Sequence, residues 1–449
     1  MTDLNTLKTC ELHVHLGGCL YAEDLLELGR DIYQQVDWHL YIESFEQAYG
    51  ITPDPVNLFS NALKGGEQEL ERFRQHFIFS ENDGTDFACF QAKFNLIISL
   101  YRHLRHLPQR QQEIVPRILA RHRAEGLDYV EYRTMPTYAA ADDPDGFINF
   151  HRLNATTMEA HSRDGFTARY IVSLPRWAPL EGYILVQRLL DENPELISTI
   201  VGLDFCFFEE GYPPASLQSF FERLQRDNEA RPERALDVVY HVGEVYFDKS
   251  LESAVRWCHQ AAELGPRRLG HAIALGLDPA IAVARQATAH QSEPVGERLA
   301  QIDYDLQYAE QLATYDIDID VDALQQERAP LATAHPDAKV DRPYTPQRLQ
   351  EIRQRQTFVL DRLVELGAMI ESCPTSNLRL GGVPDPASHP IHRFLDSSVD
   401  LAICADDPGI FNAPLAAEVD WVAQHTNLET TALAQRLGDP RRFRLQRDG

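Results

Sequence analysis

Two histidines one residue apart close a short apolar run near the start of the chain, in Glu11-Leu12-His13-Val14-His15-Leu16-Gly17-Gly18. On a β-strand, residues two apart point to the same face, so His13 and His15 can reach one metal ion together. The glycines after them allow a sharp turn and leave room for a ligand. Such a pair also occurs on surfaces and in cores, so its weight depends on the rest of the chain. Four further clusters lie downstream: His241-Val-Gly-Glu244, Arg268-Leu-Gly-His271, Ser372-Cys-Pro-Thr-Ser-Asn377 and Cys404-Ala-Asp406-Asp407-Pro408. Singly, a strand-end histidine reads as a satisfied core residue and Asp-Asp-Pro as a turn. Together they supply imidazole and carboxylate ligands with acids and bases beside them, the equipment of metal-assisted proton-transfer chemistry.

The elements that would position these residues alternate along the chain. Apolar runs predict strands at 10–15, 129–133, 169–173, 200–205, 237–241, 268–271, 368–372 and 400–404, with helical periodicity at 111–126, 180–193, 214–228 and 251–265. Eight strands alternating with helices predict an α/β fold, a (β/α)8 TIM barrel, and every chemical cluster falls at the strand ends that converge on one face. Two connections exceed ordinary loop length and predict helical insertions. One comes after strand 1, over 16–128, and contains Phe87, Phe90 and Phe94. The other lies between strands 6 and 7, over 272–367, with helices around 297–315 and 346–367. Residues 276–355 read as an insertion within a single domain spanning 1–449. Inside it, Asp316-Ile-Asp-Ile-Asp-Val-Asp322 spaces acids like a calcium loop. Val321 stands where such a loop needs glycine, so the segment reads as a solvated edge strand or a disordered acidic stretch.

Composition narrows the partners. The 449 residues carry 42 Lys+Arg against 68 Asp+Glu, a formal charge of −26. That field repels phosphate backbones and anionic membranes, which argues against nucleic acid and membrane and favours a small neutral or cationic substrate. The seven cysteines (10, 19, 89, 206, 258, 373 and 404) form no CxxC pair. The opening MTDLNTLKTCELHVHL lacks a basic region followed by a long apolar run, and no apolar stretch reaches membrane-spanning length. The expectation is a cytoplasmic protein with reduced thiols.

The set HVHLGG, HVGE, RLGH, CPTSN and DDP, with the segments FACFQAKF at Phe87–Phe94 and EGLDYVEYR at Glu125–Arg133, resembles the adenosine deaminase family of the amidohydrolase superfamily. The likeness runs through most of 8–275 and 358–425. It implies one Zn2+ held by His13, His15, His241 and Asp406, with water in the remaining position and its pKa lowered to about 7. His271 would orient or deprotonate that water, aided by Asp406, and Glu244 would protonate a ring nitrogen beside the carbon under attack. Asp407 would meet the imidazole-ring nitrogen of a purine and Gly243 would admit the base, while Gly17, Phe87, Phe90, Phe94 and Phe207 belong to the substrate pocket. The reaction implied is hydrolytic deamination of a 6-aminopurine nucleoside, adenosine or a 5′- or N6-modified form. The alternatives are a deaminase or amidase acting on adenine or another heterocycle and, third, a non-catalytic binding protein.

The unrelated H-x-E with P-C-x-x-C deaminase pattern is absent from the sequence. None of the five lysines (8, 64, 93, 249 and 339) lies on 200–205, where binuclear relatives carry a bridging lysine, so a single metal is expected. Two positions depart from the family pattern. Gly17 stands where the family has an acidic or amide residue facing the ribose. Phe207, in Asp204-Phe-Cys-Phe-Phe-Glu-Glu210, stands near a glycine whose N–H meets the base, and it reads as buried aromatic packing or as a narrowing of the pocket.

Overall fold

The computed structural model describes residues 3–84, 86–286 and 292–445. Among them ten strands run in chain order: β1 (Cys10–His15), β2 (Tyr129–Thr134), β3 (Thr167–Ser173), β4 (Ile200–Phe205), β5 (Asp237–Val242), β6 (Arg268–His271), β7 (Ser292–Pro294), β8 (Lys339–Asp341), β9 (Met369–Ser372) and β10 (Asp400–Ile403). Eight of them form one sheet in the order β1-β2-β3-β4-β5-β6-β9-β10, parallel throughout. A parallel bridge between Val14 and Asp406 brings the last strand to the first. It is made by His15 N–H to Asp406 O and Asp406 N–H to His13 O, each 2.9 Å. The architecture is the expected (β/α)8 barrel, and the predicted strands agree with the observed ones to within two residues at either end.

The ladder between β1 and β2 is irregular. Glu11 pairs with Val130 but Val14 pairs with Tyr132, so β1 holds one extra residue. This bulge frees the carbonyl of Leu12, which accepts from Arg133 Nη2 at 2.9 Å and Arg268 Nη2 at 2.6 Å. Glu11 Oε1 accepts the His13 N–H at 2.8 Å. A bulge bends its strand and re-aims the side chains within and beyond it, here His13 and His15. The two arginines lie among carboxylates. Arg268 reaches Glu131 Oε2 and Glu371 Oε1, both at 2.5 Å, and Arg133 reaches Glu371 Oε2 at 3.1 Å. All four side chains are buried. The segment near residue 445 joins them: Leu445 N–H donates to Glu131 Oε1 at 2.8 Å and Phe443 O accepts from Arg268 Nη1 at 3.1 Å.

The long connection after β1 is helical, with Ala22–Gly29, His39–Tyr49, Pro55–Lys64, Glu67–Phe77 and Phe87–Leu104 among its segments. The local sequence explains the breaks. Asp54 caps Pro55–Lys64 by accepting from Asn57 N–H, with proline at the first helical position. His39–Tyr49 stops at Gly50 in the left-handed conformation, φ +67°.

Between β6 and β9 the helices are Pro279–Arg285, Val295–Gln307, Ala309–Ala313, Val321–Leu331 and Pro346–Leu366. The short antiparallel ribbon β7–β8 has no counterpart among the predicted elements. The acidic stretch is neither an edge strand nor disordered. Asp320 caps the helix Val321–Leu331, accepting from Ala323 N–H at 2.9 Å, so the acids mark a helix start rather than a strand face. The long helix Pro346–Leu366 is tied to helix Leu251–Glu263 by a buried bidentate pair, Arg348 Nε and Nη2 to the two oxygens of Glu252 at 2.6 and 2.9 Å.

These buried charges have two measurable effects on stability. Arg268→Met leaves Glu131 and Glu371 short of their shared cation and should cost about 3–5 kcal/mol in urea unfolding. Against its burial, Arg348 holds Glu252 down at about 2, from an ordinary 4.5. A depressed carboxylate stabilises the fold in full above its unfolded pKa, and that stability is lost as pH falls through the folded value. The stability–pH profile of Arg348→Met should therefore differ most from the parent above pH 4.5 and converge on it toward pH 2.

Candidate active site

β1 presents His13, within its bulge, and His15, beyond it, at the barrel mouth; β5 carries His241 at its penultimate position and β6 ends on His271. The ring centroid of His13 lies 5.6 Å from His15, 4.6 Å from His241 and 5.0 Å from His271. Asp406 comes just after β10, with Oδ1 at 3.3 Å from His15 Nε2 and 3.6 Å from His13 Nε2. Ligand atoms of His13, His15 and His241 all lie within 4.8 Å of one another, and so do those of His13, His271, Cys373 and Asp406. These groups can hold a divalent metal. The Nε2 atoms of His13 and His241 are buried and have no hydrogen-bond partner in the protein, the condition of a lone pair kept for a cation.

A carboxylate lies behind each of these rings. His241 Nδ1 is hydrogen-bonded to Asp204 Oδ1 at 2.9 Å, and His13 Nδ1 lies 2.8 Å from Glu371 Oε2 without hydrogen-bond alignment. Carboxylates in that position orient imidazole ligands and raise their basicity. Burial, with the nearby Arg133 charge, holds His13 well below the usual histidine range. Burial likewise brings His241 down to about 4 against the pull of Asp204. Both rings are therefore neutral donors. Asp406 stays well below the ordinary carboxylate range despite its burial, because His15 hydrogen-bonds it and His271 and His13 lie close. His15 is pushed up to about 9 against its own burial by that hydrogen bond and by Asp407. The cluster draws positive charge.

The acid–base groups stand beside it. His271 Nε2 lies 3.7 Å from Glu244 Oε1 and 4.0 Å from Asp406 Oδ2. His271 Nδ1 lies 2.9 Å from Asn377 Oδ1. With that oxygen as acceptor, Nδ1 carries the proton and Nε2 keeps its lone pair toward Glu244. Burial, reinforced by the charges of Asp406 and Glu209, raises the Glu244 carboxyl above its ordinary value, while His271 opposes. Asp407 is raised well above the ordinary range by burial and by Asp406 next to it, and its Oδ1 has no partner. Gly18 makes room for it: a Cβ there would fall 1.6 Å from Asp407 Oδ1. His271 (φ +63°), Asp406 (+63°) and Gly243 (+67°) all adopt the left-handed backbone conformation. For the first two this is a conformation non-glycine residues seldom hold unless their surroundings impose it.

The remaining predicted site residues divide. Phe94 reaches the space beside Gly17, where a Cβ would sit 3.7 Å from its Cζ. Phe87 is largely exposed, whereas Phe90 is buried against Phe79 and Phe411. Phe207 corrects the expectation of buried packing: it is 49% exposed, at φ +74°. Its backbone thus keeps the conformation natural to glycine while the ring projects outward. Sequence reasoning missed Glu371, Asp204 and Asn377 as the groups behind the imidazoles, although Asp204 and Asn377 lie within motifs it singles out. It also missed Glu209, a buried carboxylate accepting from Gly243 N–H at 3.1 Å and Val245 N–H at 3.3 Å, on either side of Glu244. All seven cysteines are free thiols. Among the described residues, no helix is long and apolar enough to cross a membrane.

Residues 351–437, which carry Asn377, Asp406 and Asp407, match the adenosine deaminase family model. An adenine deaminase from Rhizobium leguminosarum bv. trifolii is 42% identical over 66 residues, 15% of this chain and 20% of that protein. An adenosine deaminase from Shewanella denitrificans is 38% identical over 77 residues, 17% of this chain and 23% of that one. The chain spans about a fifth of the length of these curated relatives. The fold is similar to the Arabidopsis N6-mAMP deaminase MAPDA, with TM-score 0.54 at 15% identity over 99% of this chain and 95% of that one. Arabidopsis ADAL complexed with GMP superposes with TM-score 0.55 at 15% identity, over 99% and 94%.

If the imidazole and Asp406 cluster takes a divalent ion, adding one to metal-stripped protein should raise its Tm by mass action, equivalent to about 2.7 kcal/mol at a hundredfold excess over Kd. Asp406→Ala should abolish that shift in differential scanning fluorimetry.

Proposed function

We propose that this chain is a zinc-dependent hydrolytic deaminase of the adenosine deaminase family, acting in the cytoplasm on a 6-aminopurine nucleoside. The observations that support the reading are the mutual approach of His13, His15 and His241, the Asp406 carboxylate 3.6 Å from His13 and 3.3 Å from His15, two orphaned Nε2 atoms, and the Glu244–His271 pair beside them. Zinc suits that donor set of three imidazoles and a carboxylate, and when bound it supplies the Lewis acidity that makes water a nucleophile near neutral pH.

The chain's own groups account for the rest. Asp204 holds His241 in orientation from behind, and Glu371 lies behind His13. His271, donating its Nδ1 proton to Asn377 in a hydrogen bond, offers the Nε2 lone pair to a proton of the attacking water. Glu244, whose carboxyl burial raises above its ordinary value, is the acid that would deliver a proton to the ring nitrogen beside the reacting carbon, making an aromatic amine carbon electrophilic. Gly243, between His241 and Glu244, is left-handed and has no room for a side chain, since a Cβ there would fall 2.5 Å from Cys258 Sγ. Asp407, its carboxyl raised by burial and by Asp406, has an unpartnered Oδ1 that would meet an imidazole-ring nitrogen of the purine. Partial likeness to adenine deaminases keeps a free base as the second reading.

Ammonia release from adenosine, deoxyadenosine, adenine and N6-methylated forms tests both. The zinc-loaded chain should deaminate at least one nucleoside faster than adenine. Glu244→Gln should lower kcat by about 10²–10⁴ with metal content unchanged. Asn377→Ala should lower kcat with little change in KM. Zinc bound with no release from any of these compounds would falsify the reading.

A further inference from the structure

Two buried carboxylates flank the turn after β4, and both bond to the end of the neighbouring strand. Asp204 Oδ1 lies 2.9 Å from His241 Nδ1 on β5. Beyond β5, Glu209 Oε1 accepts the Gly243 N–H at 3.1 Å and Glu209 Oε2 accepts the Val245 N–H at 3.3 Å. Between the two carboxylates Phe207 holds φ +74°, a conformation bulky residues seldom adopt unless their surroundings impose it. One turn thus backs an imidazole of the metal cluster and brackets the acid Glu244.

Bracketing by a single carboxylate has a geometric consequence. The main chain on either side of Glu244 runs to Glu209, and Gly243 O accepts from Ala274 N–H at 2.9 Å. Glu244 is therefore held by its neighbours, with Oε1 at 3.7 Å from His271 Nε2. A carboxylate suits this task because each oxygen accepts, whereas a glutamine would turn a donor toward one of the N–H groups. Its countercharge is the buried Lys249, whose Nζ lies 3.7 Å from Glu209 Oε1 and 2.6 Å from Asp248 Oδ1. Against its burial, Glu209 and Asp248 keep the Lys249 ammonium above its ordinary range. That ammonium also donates to Val245 O at 3.0 Å. A buried ion pair is costly to desolvate, and this one is spent on three main-chain groups around one side chain.

We propose that Glu209 is a positioning residue for Glu244, acting with Lys249 to hold that carboxyl against the ring nitrogen it protonates. The proposal rests on the deaminase reading above. Glu209 acts through the main chain of residues 243–245, so its loss slows proton delivery while leaving substrate binding to other groups. Misplacing a reacting group by about 1 Å can cost about a hundredfold in rate.

The test is a double-mutant cycle on the zinc-loaded chain, read as ammonia release from the nucleoside it deaminates fastest. Glu209→Gln keeps the side-chain volume and one of the two bonds, and should lower kcat about tenfold with KM within about twofold and zinc content unchanged. Combined with Glu244→Gln it should cost almost nothing further, because the proton whose delivery it steadies is already gone. Lys249→Met, which releases Val245 O, gives a second cycle with the same expectation. Losses that multiply in the double variants assign the pair to general support of the fold and overturn the proposal. So do a parental kcat in Glu209→Gln, a rise in KM in place of the fall in kcat, or loss of zinc or of the folded state in both single variants. Each of these leaves the deaminase reading standing if the parent chain releases ammonia. No release from any nucleoside by the zinc-loaded parent overturns both.

Discussion

Inserting one residue into β1 between Glu11 and Val14 strands the Leu12 carbonyl inside the barrel, and two buried guanidinium groups take it up. Those cations need anions, which Glu131 and Glu371 supply, and Glu371 in turn lies against His13. The irregularity that re-aims His13 and His15 is thus held by the same charges that lie behind one of those rings. Remove the bulge and the histidines lose both their direction and their support. A strand of regular alternation could place two imidazoles on one face, but it would give the arginines no free carbonyl to meet.

A similar double use of groups governs the opposite wall of the site. Asp406 closes the barrel through its main chain and faces the imidazoles through its side chain. Asp204 steadies His241 while anchoring the turn that projects Phe207. The imidazole cluster is therefore backed by buried ionic groups, whereas Trp177, Phe207 and Phe208 are half exposed and meet one another.

Much of this is legible in the residues. The strands show because barrel interiors demand short apolar runs, and the chemistry shows because His, Asp and Glu recur where those runs end. The bulge is hidden because its signature is hydrogen-bond register, which side-chain pattern does not record. Glu371 and Glu131 read as ordinary polar positions, since the arginines they share lie more than a hundred residues away in sequence. The acidic stretch at Asp316–Asp322 resembles a strand when alternation is weighed before capping, yet one aspartate at a helix start outweighs a two-residue period. Phe207 misleads for a plainer reason: aromatic residues are usually buried, and this one is half exposed.

The bridge between Val14 and Asp406 also orders events in time. The strand bearing the first two imidazoles leaves the ribosome almost four hundred residues before the strand that completes its pairing. At about 5–20 residues per second, that interval lasts roughly 20–80 s. Throughout it β1 has an unpaired edge, and the floor arginines await both Glu371 and the Phe443–Leu445 segment. The open edge of the incomplete barrel is thus a consequence of the distance between residues 14 and 406.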